Sequence, residues 1–184
     1  DISPRVPEQG ALGRSVNIIR TKMKRLVFDI ETNGLNELTI SKDTPVPECT
    51  KVWCLCIKDL DSDKSWEFTD IEQGVKLLRN ADLIIGHNII MFDVPILERM
   101  YGPIDTKPYD TLIVSRLMYP DRANHPFGSN SLRAWGEYLD NYKIDYTLGF
   151  EEYNEEMLKY CVQDVILTGD IYHRQEKFRE KYPK

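Results

Sequence analysis

Two carboxylates stand close together early in the chain, in the stretch RLVFDIETNGL that covers residues 25–35. An apolar run leads into Asp29 and, two positions later, into Glu31. Side chains at alternate positions of a strand point to the same side of a sheet, so these two are expected to lie side by side. Neighbouring carboxylates raise each other's pKa unless a cation offsets their repulsion. The pair therefore either ends a strand in solvent or forms half of a metal site.

Three more residues could join this pair from distant parts of the chain. Asp93 follows the apolar stretch DLIIGH within a few residues, at a predicted strand-to-helix junction. Tyr160 and Asp164 are four positions apart in a predicted helix, which places them on one face. Because ligands of open α/β sheets bind at the carboxyl ends of the strands, the carboxylates of these segments could converge.

A convergent set of carboxylates predicts hard cations. Oxygen-rich acidic sites select Mg²⁺ or Mn²⁺, and no histidine or cysteine is expected near enough to favour zinc. Two such ions, roughly 3.5–4 Å apart, are the common arrangement for phosphodiester hydrolysis. Taken alone, each residue also has a structural explanation: Asp29 and Glu31 could end an edge strand, and Asp93 could cap a helix. The metal hypothesis rests on the whole set.

These residues need a sheet and helices to hold them. Strands are predicted at residues 25–31, 51–58, 64–69 and 82–87. Short connections make the first three strands an antiparallel meander. Helices are predicted at residues 69–81, 92–102, 109–119, 130–140 and 154–178. This order of elements indicates an α/β domain with a mixed sheet flanked by helices.

Several polar residues are assigned to helix ends rather than to chemistry. Thr69 and Glu72 form a predicted capping box for the first helix. Asn154 is the predicted cap of the last helix. Asp110 opens the third helix and is interpreted as its N-cap rather than as a metal ligand. Trp135 is predicted to pack in the core rather than to stack on a base.

Composition limits the class of protein. The 184 residues are enough for one well-buried domain, and 29% charged residues is ordinary for a globular protein. The net charge of −6 argues against a broadly basic nucleic-acid clamp, although an enzyme could still hold nucleic acid through metal ions. No apolar run approaches the roughly 20 residues that span a bilayer and no signal peptide opens the chain, which predicts no membrane partner. The four cysteines, interpreted as reduced thiols, predict a cytoplasmic location.

Two features bear on chain boundaries and redox state. The four cysteines lack the paired spacing of a zinc site and are predicted to be buried, reduced thiols. Residues 1–22 show no clear period and are interpreted as a leader, a linker or a cloning remnant. Residues 23–184 are then the folded domain.

Three motifs carry a family resemblance: FDIETNGL, IIGHNIIMFDVPIL and YCVQD, in this order within residues 25–172. They resemble the motifs of the DEDD 3′–5′ exonuclease superfamily, in the tyrosine subclass found in proofreading domains of family A DNA polymerases. The five positions from Asn88 to Asp93 are most similar to the podophage form of this domain. The resemblance implies a ribonuclease H-like fold and a metal-dependent 3′–5′ exonuclease that releases 5′-mononucleotides from single-stranded or frayed DNA. It also implies a polymerase domain or subunit as a partner.

The resemblance also implies a role for each motif residue. Asp29 would bridge two ions of Mg²⁺ or Mn²⁺. Glu31 and Asp164 would complete the site of the ion that binds the attacking water, and Asp93 would hold the second ion. Tyr160 would orient the water through its hydroxyl. Contacts to the terminal nucleotides would come from Thr32, Leu35, His87, Asn88 and Phe92.

Two other functions stay open. An RNA-trimming exonuclease of the same superfamily would carry the same motifs, because discrimination at the 2′-hydroxyl depends on the shape of the pocket. A catalytically silent nucleic-acid-binding domain could keep the fold, although it would have no physical need for four convergent acids.

Overall fold

The computed structural model describes residues 23–34, 49–121 and 128–182. The expected leader or linker at residues 1–22 lies outside this part of the chain, as does Leu35. The strands of the described residues are β1 (Arg25–Thr32), β2 (Val52–Asp59), β3 (Ser65–Phe68), β4 (Leu83–Gly86) and β5 (Pro108–Asp110). Their helices are α1 (Ile71–Arg79), α2 (Asp93–Tyr101), α3 (Thr111–Met118), α4 (Leu132–Leu139) and α5 (Glu155–Lys181).

The strands form one mixed sheet in the order β3-β2-β1-β4-β5. β1, β2 and β3 pair antiparallel, which confirms the predicted meander. β4 runs parallel to β1, and β5 runs parallel to β4. The carboxyl ends of these three parallel strands therefore lie at the same edge of the sheet. The predicted mixed sheet flanked by helices is confirmed.

The two faces of β1 belong to two different cores. Leu26 and Phe28 pack on the face covered by α1 and α2. Val27 points the opposite way and packs against α5. Because strand side chains alternate between faces, Asp29 and Glu31 share the α5 face with Val27. The buried strand thus aims both carboxylates at the long helix.

The predicted capping box of the first helix is wrong. α1 begins at Ile71, and Asp70 occupies its N-cap position. Asp70 makes no capping bond to the helix backbone, and its Oδ2 accepts from the Gln73 side chain at 2.8 Å instead. Thr69 lies too far from the first turn to cap it, since β3 ends at Phe68 and the chain bends before the helix starts.

The third helix starts later than predicted, because a short strand precedes it. β5 has three residues, which are too few to show an alternating pattern in the sequence. Asp110 ends this strand and accepts hydrogen bonds from the backbone N–H groups of Leu112 and Ile113. The prediction that Asp110 caps this helix is confirmed.

The long helix α5 packs across β1 and β2 and against α4. Asn154 caps it as predicted, with Oδ1 accepting from the Met157 N–H at 2.9 Å. Trp135 of α4 is fully buried, and its Nε1 donates to Ser115 Oγ at 3.0 Å, which confirms its place in the core. Neither α5 nor any other described helix is both long and apolar enough to cross a lipid bilayer.

Candidate metal centre

β1 brings Asp29 and Glu31 to the end of the central strand, on the face towards α5. Glu31 is 7% exposed, and Asp29 is partly exposed. The chain turns away directly afterwards, because the ladder with β2 is irregular between Glu31 and Thr32. Thr32 Oγ1 then donates to the Gly34 carbonyl at 2.6 Å. Both carboxylates therefore lie at the expected edge of the sheet.

A tight loop between β4 and α2 positions Asp93. Gly86 ends β4 and has no room for a side chain, since a Cβ there would lie 2.0 Å from Ile89 Cγ2. Asn88 has a φ of +70°, in the left-handed region that asparagine tolerates better than most residues. α2 then begins at Asp93, which is buried and whose carboxylate interacts with the backbone N–H of Ile30 on β1. The loop thus delivers a third acid next to the first two.

Asp110 anchors the same loop. Its Oδ1 accepts from the Asn88 N–H at 3.0 Å, and its Oδ2 accepts from the Ile90 N–H at 3.1 Å. Asp110 is therefore both the cap of α3 and a brace for the loop that leads to Asp93. The second role has no local sequence signal, because Asn88 is 22 positions away.

One turn of α5 completes the cluster. Cys161 Sγ donates to the carbonyl oxygen of Asp29 at 3.4 Å, so this turn lies directly against β1. Asp164 is buried, whereas Tyr160 is partly exposed and packs beside Tyr146, with ring centroids 5.6 Å apart. The structure therefore brings together the five residues that the motifs singled out.

The four carboxylates affect one another's ionisation, which reflects how close they lie. Burial raises the pKa of Asp29 well above its usual range, and the charges of the other three carboxylates raise it further. Burial and the Asp164 charge raise the pKa of Glu31 to about 9. Burial also raises the pKa of Asp93 to about 7, although backbone N–H groups oppose the shift. The cluster is short of positive charge.

Lys143 is a member of the site that the sequence analysis missed. Its Nζ donates to Asp164 Oδ2 at 2.5 Å and lies 4.4 Å from the centroid of the Tyr160 ring. Burial alone would lower the pKa of Lys143, but the Asp164 carboxylate raises it overall. Lys143 lies in residues 141–154, which form neither helix nor strand, so no periodic pattern indicated it.

One ammonium group does not neutralise four carboxylates, and two carboxylate oxygens remain unsatisfied. Asp93 Oδ1 and Asp164 Oδ1 are buried and accept no hydrogen bond from the described part of the chain. A buried carboxylate oxygen without a donor is costly. Hard divalent cations take carboxylate oxygens of this kind as ligands. The donor set therefore fits the metals that the motifs predict.

The expectation that no cysteine lies near the acids is wrong. Ligand atoms of Asp29, Glu31 and Cys161 all lie within 4.8 Å of one another. The register of β1 with β2 also sets Asp29 opposite Cys56 and Glu31 opposite Cys54. This proximity comes from strand pairing and from the docking of α5, neither of which shows in the spacing of cysteines. The expectation that the four cysteines are buried, reduced thiols is confirmed, since all four are free and buried.

Four of the five residues predicted to contact a nucleotide lie in the described part of the chain and border the acids, whereas Leu35 lies outside it. Thr32 ends β1, and His87, Asn88 and Phe92 belong to the loop between β4 and α2. His87 Nδ1 lies 2.9 Å from Thr111 Oγ1, and burial lowers the pKa of this imidazole to about 4. Phe92 packs against the core beneath α1 and α2. Contacts of these side chains with a nucleotide stay predictions.

Sheet order and side chains together define the class of domain. The mixed sheet, with four acids and a tyrosine at one edge, is a ribonuclease H-like fold that carries the side chains the three motifs predict. Solved structures confirm the predicted fold. Brucella melitensis NrnC matches with a TM-score of 0.61 at 20% identity, over 87% of this chain and 75% of that chain. Other NrnC structures contain Mg²⁺ or pGG.

The sequence is similar to DNA polymerases of two phages. It is 27% identical to the DNA-directed DNA polymerase of Enterobacteria phage T3 and 26% identical to that of Escherichia phage T7, over 86% of this chain in both cases. These relatives confirm the predicted resemblance to phage DNA polymerases. The chain spans 27% of the length of each relative. No protein-family profile matches the chain.

Proposed function

We propose that this domain is a metal-dependent 3′–5′ exonuclease that acts on single-stranded or frayed DNA and releases 5′-mononucleotides. The observation that carries the proposal is the convergence of four carboxylates and Tyr160 at the carboxyl edge of the sheet. The similarity to phage DNA polymerases supports DNA as the substrate. It also supports a polymerase domain or subunit as the partner, acting in the cytoplasm of a bacterial host.

The carboxylates of the cluster are proposed to hold two ions of Mg²⁺ or Mn²⁺, with Asp29, Glu31, Asp93 and Asp164 as ligands. Bound ions of this kind lower the pKa of a water molecule and offset the charge on a departing oxygen. The raised pKa values of the acids mean that cation binding and full ionisation of the cluster are coupled.

Tyr160 is proposed to orient the attacking water. Burial raises the pKa of its phenol, so the hydroxyl stays protonated at neutral pH and is able both to donate and to accept a hydrogen bond. Lys143 restrains this side chain from one side of its ring and holds Asp164 at the same time. The two α5 residues are therefore positioned by a common partner.

The substrate end is proposed to be an unpaired 3′ terminus. Thr32, Leu35, His87, Asn88 and Phe92 are the proposed contacts to the terminal nucleotides. Separating a base pair costs roughly 1–2 kcal/mol per step. A net charge of −6 leaves few cations to offset that cost through phosphate contacts. Mismatched or single-stranded ends should therefore be degraded faster than paired ends of the same sequence.

The direct test is degradation of 5′-labelled single-stranded DNA by the full chain in Mg²⁺, Mn²⁺, Ca²⁺ or excess EDTA. We expect the label to pass to progressively shorter oligonucleotides in Mg²⁺ or Mn²⁺. Ca²⁺ should support little hydrolysis, because it is larger and looser in geometry. Full activity in EDTA, or early release of the label as a mononucleotide, would contradict the proposal.

Variants and a second substrate sharpen the test. Asp29→Asn should abolish the activity, whereas Tyr160→Phe should reduce it on the order of 10²-fold, since one positioning hydrogen bond is lost. Tyr182→Phe is the matched control at an exposed position late in the chain and should change nothing. An RNA oligomer of the same sequence tests the RNA-trimming alternative, which faster degradation of RNA would favour. Binding without any degradation would favour a silent domain.

A further inference from the structure

Three cysteines meet on the α5 face of the sheet. Cys54 and Cys56 point to this face from alternate positions of β2, and Cys161 points to it from α5. Their Sγ atoms all lie within 4.8 Å of one another, and each residue is at most 2% exposed. The proposed reaction uses no thiol, so the cluster needs an explanation of its own.

The spacing of the sulfur atoms suits a thiophilic cation. Zn²⁺ binds thiolate sulfur at about 2.3 Å, which sets the sulfurs of a trigonal or tetrahedral site about 3.8–4 Å apart. Sulfurs already within 4.8 Å reach that spacing through small changes in side-chain torsion. Strand pairing and helix docking hold the three backbone segments in place, so little chain movement is needed.

A candidate fourth ligand lies near one of the thiols, Cys161. Cys161 also belongs to a second group, in which its Sγ and the carboxylate oxygens of Asp29 and Glu31 lie within 4.8 Å of one another. The register of β1 with β2 places Glu31 directly opposite Cys54. Glu31 is grouped with Cys161 but not with all three sulfurs, so its side chain would have to turn towards the thiols to supply the fourth ligand, an oxygen, to a Zn²⁺ ion held by them.

We infer that Cys54, Cys56 and Cys161 form a binding site for a thiophilic cation of the Zn²⁺ class, distinct from the hard cations proposed for the carboxylates. The two sites adjoin through Glu31. Occupation of the thiol site draws this carboxylate away from the acidic cluster, so the cation inhibits the nuclease. The inhibitory effect rests on the proposed function, whereas the binding site does not.

A cavity of about 180 Å³ reaches one member of the cluster, Cys56, from the side of β3. Cys56 lines this cavity together with Trp66, Glu67 and Val165. The carboxylates of the acidic cluster do not line it. A cation therefore has a route to Cys56 that is separate from the proposed entry of the substrate.

The binding test uses Co²⁺ as the probe, because a cobalt–thiolate bond produces a charge-transfer absorption band that carboxylate ligands do not produce. The full chain is reduced with a phosphine, freed of metal and titrated with Co²⁺ in excess Mg²⁺, which occupies the hard-cation site. We expect the band to saturate at one Co²⁺ per chain and to disappear when one equivalent of Zn²⁺ is added. Absence of the band from the wild-type chain would overturn the inference.

Serine variants locate the site. Cys54→Ser and Cys56→Ser should each weaken Co²⁺ binding at least tenfold. Cys49→Ser is the matched control, since Cys49 is equally buried but lies in the core on the opposite face of the sheet. It should keep the full band. An equal band in wild type and Cys56→Ser would overturn the inference.

A second measurement covers the case in which a serine variant fails to fold. In the wild-type chain, Zn²⁺ should slow alkylation of Cys54, Cys56 and Cys161 by iodoacetamide, as mapped by mass spectrometry. Cys49 should react at an unchanged rate. Equal protection of all four cysteines, or protection of none, would contradict a local site.

The inhibitory effect is measured separately. Zn²⁺ at one equivalent, added to the Mg²⁺-loaded chain, should reduce wild-type degradation of DNA at least tenfold relative to the activity in Mg²⁺ alone. The same addition of Zn²⁺ should reduce the activity of Cys56→Ser less than twofold relative to the activity of that variant in Mg²⁺ alone. Equal inhibition of both proteins would show that Zn²⁺ acts at the carboxylates instead. If no nuclease activity is found at all, the proposed function fails while the Co²⁺ titration still tests the thiol site.

Discussion

Lys143 Nζ lies 2.5 Å from Asp164 Oδ2 and 4.4 Å from the centre of the Tyr160 ring, so one lysine contacts both α5 residues of the acidic cluster. The side chains of the ion pair are 18% and 4% exposed, respectively. Breaking such a pair from one side is costly, because the remaining charge loses its partner without regaining water. The lysine therefore stabilises the metal-free domain at the point where the reaction is proposed to take place.

Lys143→Met should lower the free energy of unfolding of the metal-free chain by about 3 kcal/mol. Urea denaturation in EDTA measures this loss, and added Mg²⁺ should recover part of it by supplying charge to Asp164. Lys159→Met is the control, since Lys159 also forms an ion pair, with Glu156 at 2.8 Å, but that pair is solvent-exposed. The control should lose much less stability than Lys143→Met, because an ion pair in water contributes little. Equal losses in the two variants would contradict a special role for Lys143.

Asp93→Asn should abolish DNA degradation while leaving the metal-free domain as stable as wild type or more stable. Burial raises the pKa of Asp93 to about 7, and its Oδ1 accepts no hydrogen bond from the described residues. An amide removes the charge and its repulsion with the neighbouring acids. Thermal unfolding in EDTA checks the direction, and Mg²⁺ should raise Tm less in the variant than in wild type.

Asp61→Asn is the control for Asp93→Asn, because it removes a well-paired carboxylate and should change Tm in the opposite direction. Asp61 accepts hydrogen bonds from Arg25 Nε at 3.0 Å and from Arg25 Nη2 at 2.6 Å, so its charge is well paired. Its removal should lower Tm and leave nuclease activity intact. A clear drop in Tm for Asp93→Asn in EDTA would show that this carboxylate has a stabilising partner and would weaken the metal assignment.

Asp110→Ala should lower both stability and activity. The lost cap of α3 costs about 1 kcal/mol, and the released backbone N–H groups of Asn88 and Ile90 add about 1–3 kcal/mol. Activity should fall because the loop that positions Asp93 loses its anchor. Urea denaturation and initial rates of DNA degradation measure the two effects. Asp110→Asn keeps an acceptor oxygen and should lose less in both measurements.

Ser131→Ala is the control for Asp110→Ala, because Ser131 caps α4 and, among the described residues, its side chain forms hydrogen bonds only with Ser129 and Ala134. Its Oγ accepts from the Ala134 N–H at 3.3 Å. The variant should lose about 1 kcal/mol of stability and keep its nuclease rate. If Asp110→Ala behaved in the same way, the bracing role of Asp110 would be refuted.

The stability that depends on neutral His87 should decrease as the pH falls. Burial lowers the pKa of His87 from 6.5 to about 4. Above pH 6.5, His87 is neutral in both the native and the unfolded chain. Between pH 6.5 and pH 4, His87 binds a proton in the unfolded chain but not in the native domain, so acid favours unfolding. Because the carboxylates titrate in the same range, the measured quantity is the difference in free energy of unfolding between wild type and His87→Asn. It should shrink from pH 7 to pH 4, and a difference independent of pH would contradict the prediction.

Local rules account for the part of the site that the sequence predicted. The period of two along β1 placed Asp29 and Glu31 on one face, and the helical repeat paired Tyr160 with Asp164. Short-range capping chemistry was equally readable at Asp110. The wrong prediction of a capping box at Thr69 and Glu72 is also local in origin. It depends on the helix starting at Thr69, whereas α1 begins two residues later, at Ile71.

The missed features come from contacts between distant segments. Lys143 reaches Asp164 from a stretch without regular structure, and nothing in its neighbouring residues marks that contact. Cys54 and Cys56 lie near the acids because β2 pairs antiparallel with β1 in one particular register. A shift of this register by one residue would turn both thiols to the other face. Such contacts are decided by packing of the whole domain rather than by local pattern.

The contact between Cys161 and Asp29 joins positions 132 residues apart, so the first strand and the last described helix must meet before the acidic cluster exists. Protein synthesis proceeds from β1 towards α5. A chain still on the ribosome therefore carries Asp29 and Glu31 long before Tyr160 and Asp164 have been added. Closing so long a loop is also a late and slow step in folding. If the domain is the proposed nuclease, nascent or half-folded copies lack the complete site, and the proposed activity begins only when the last helix docks.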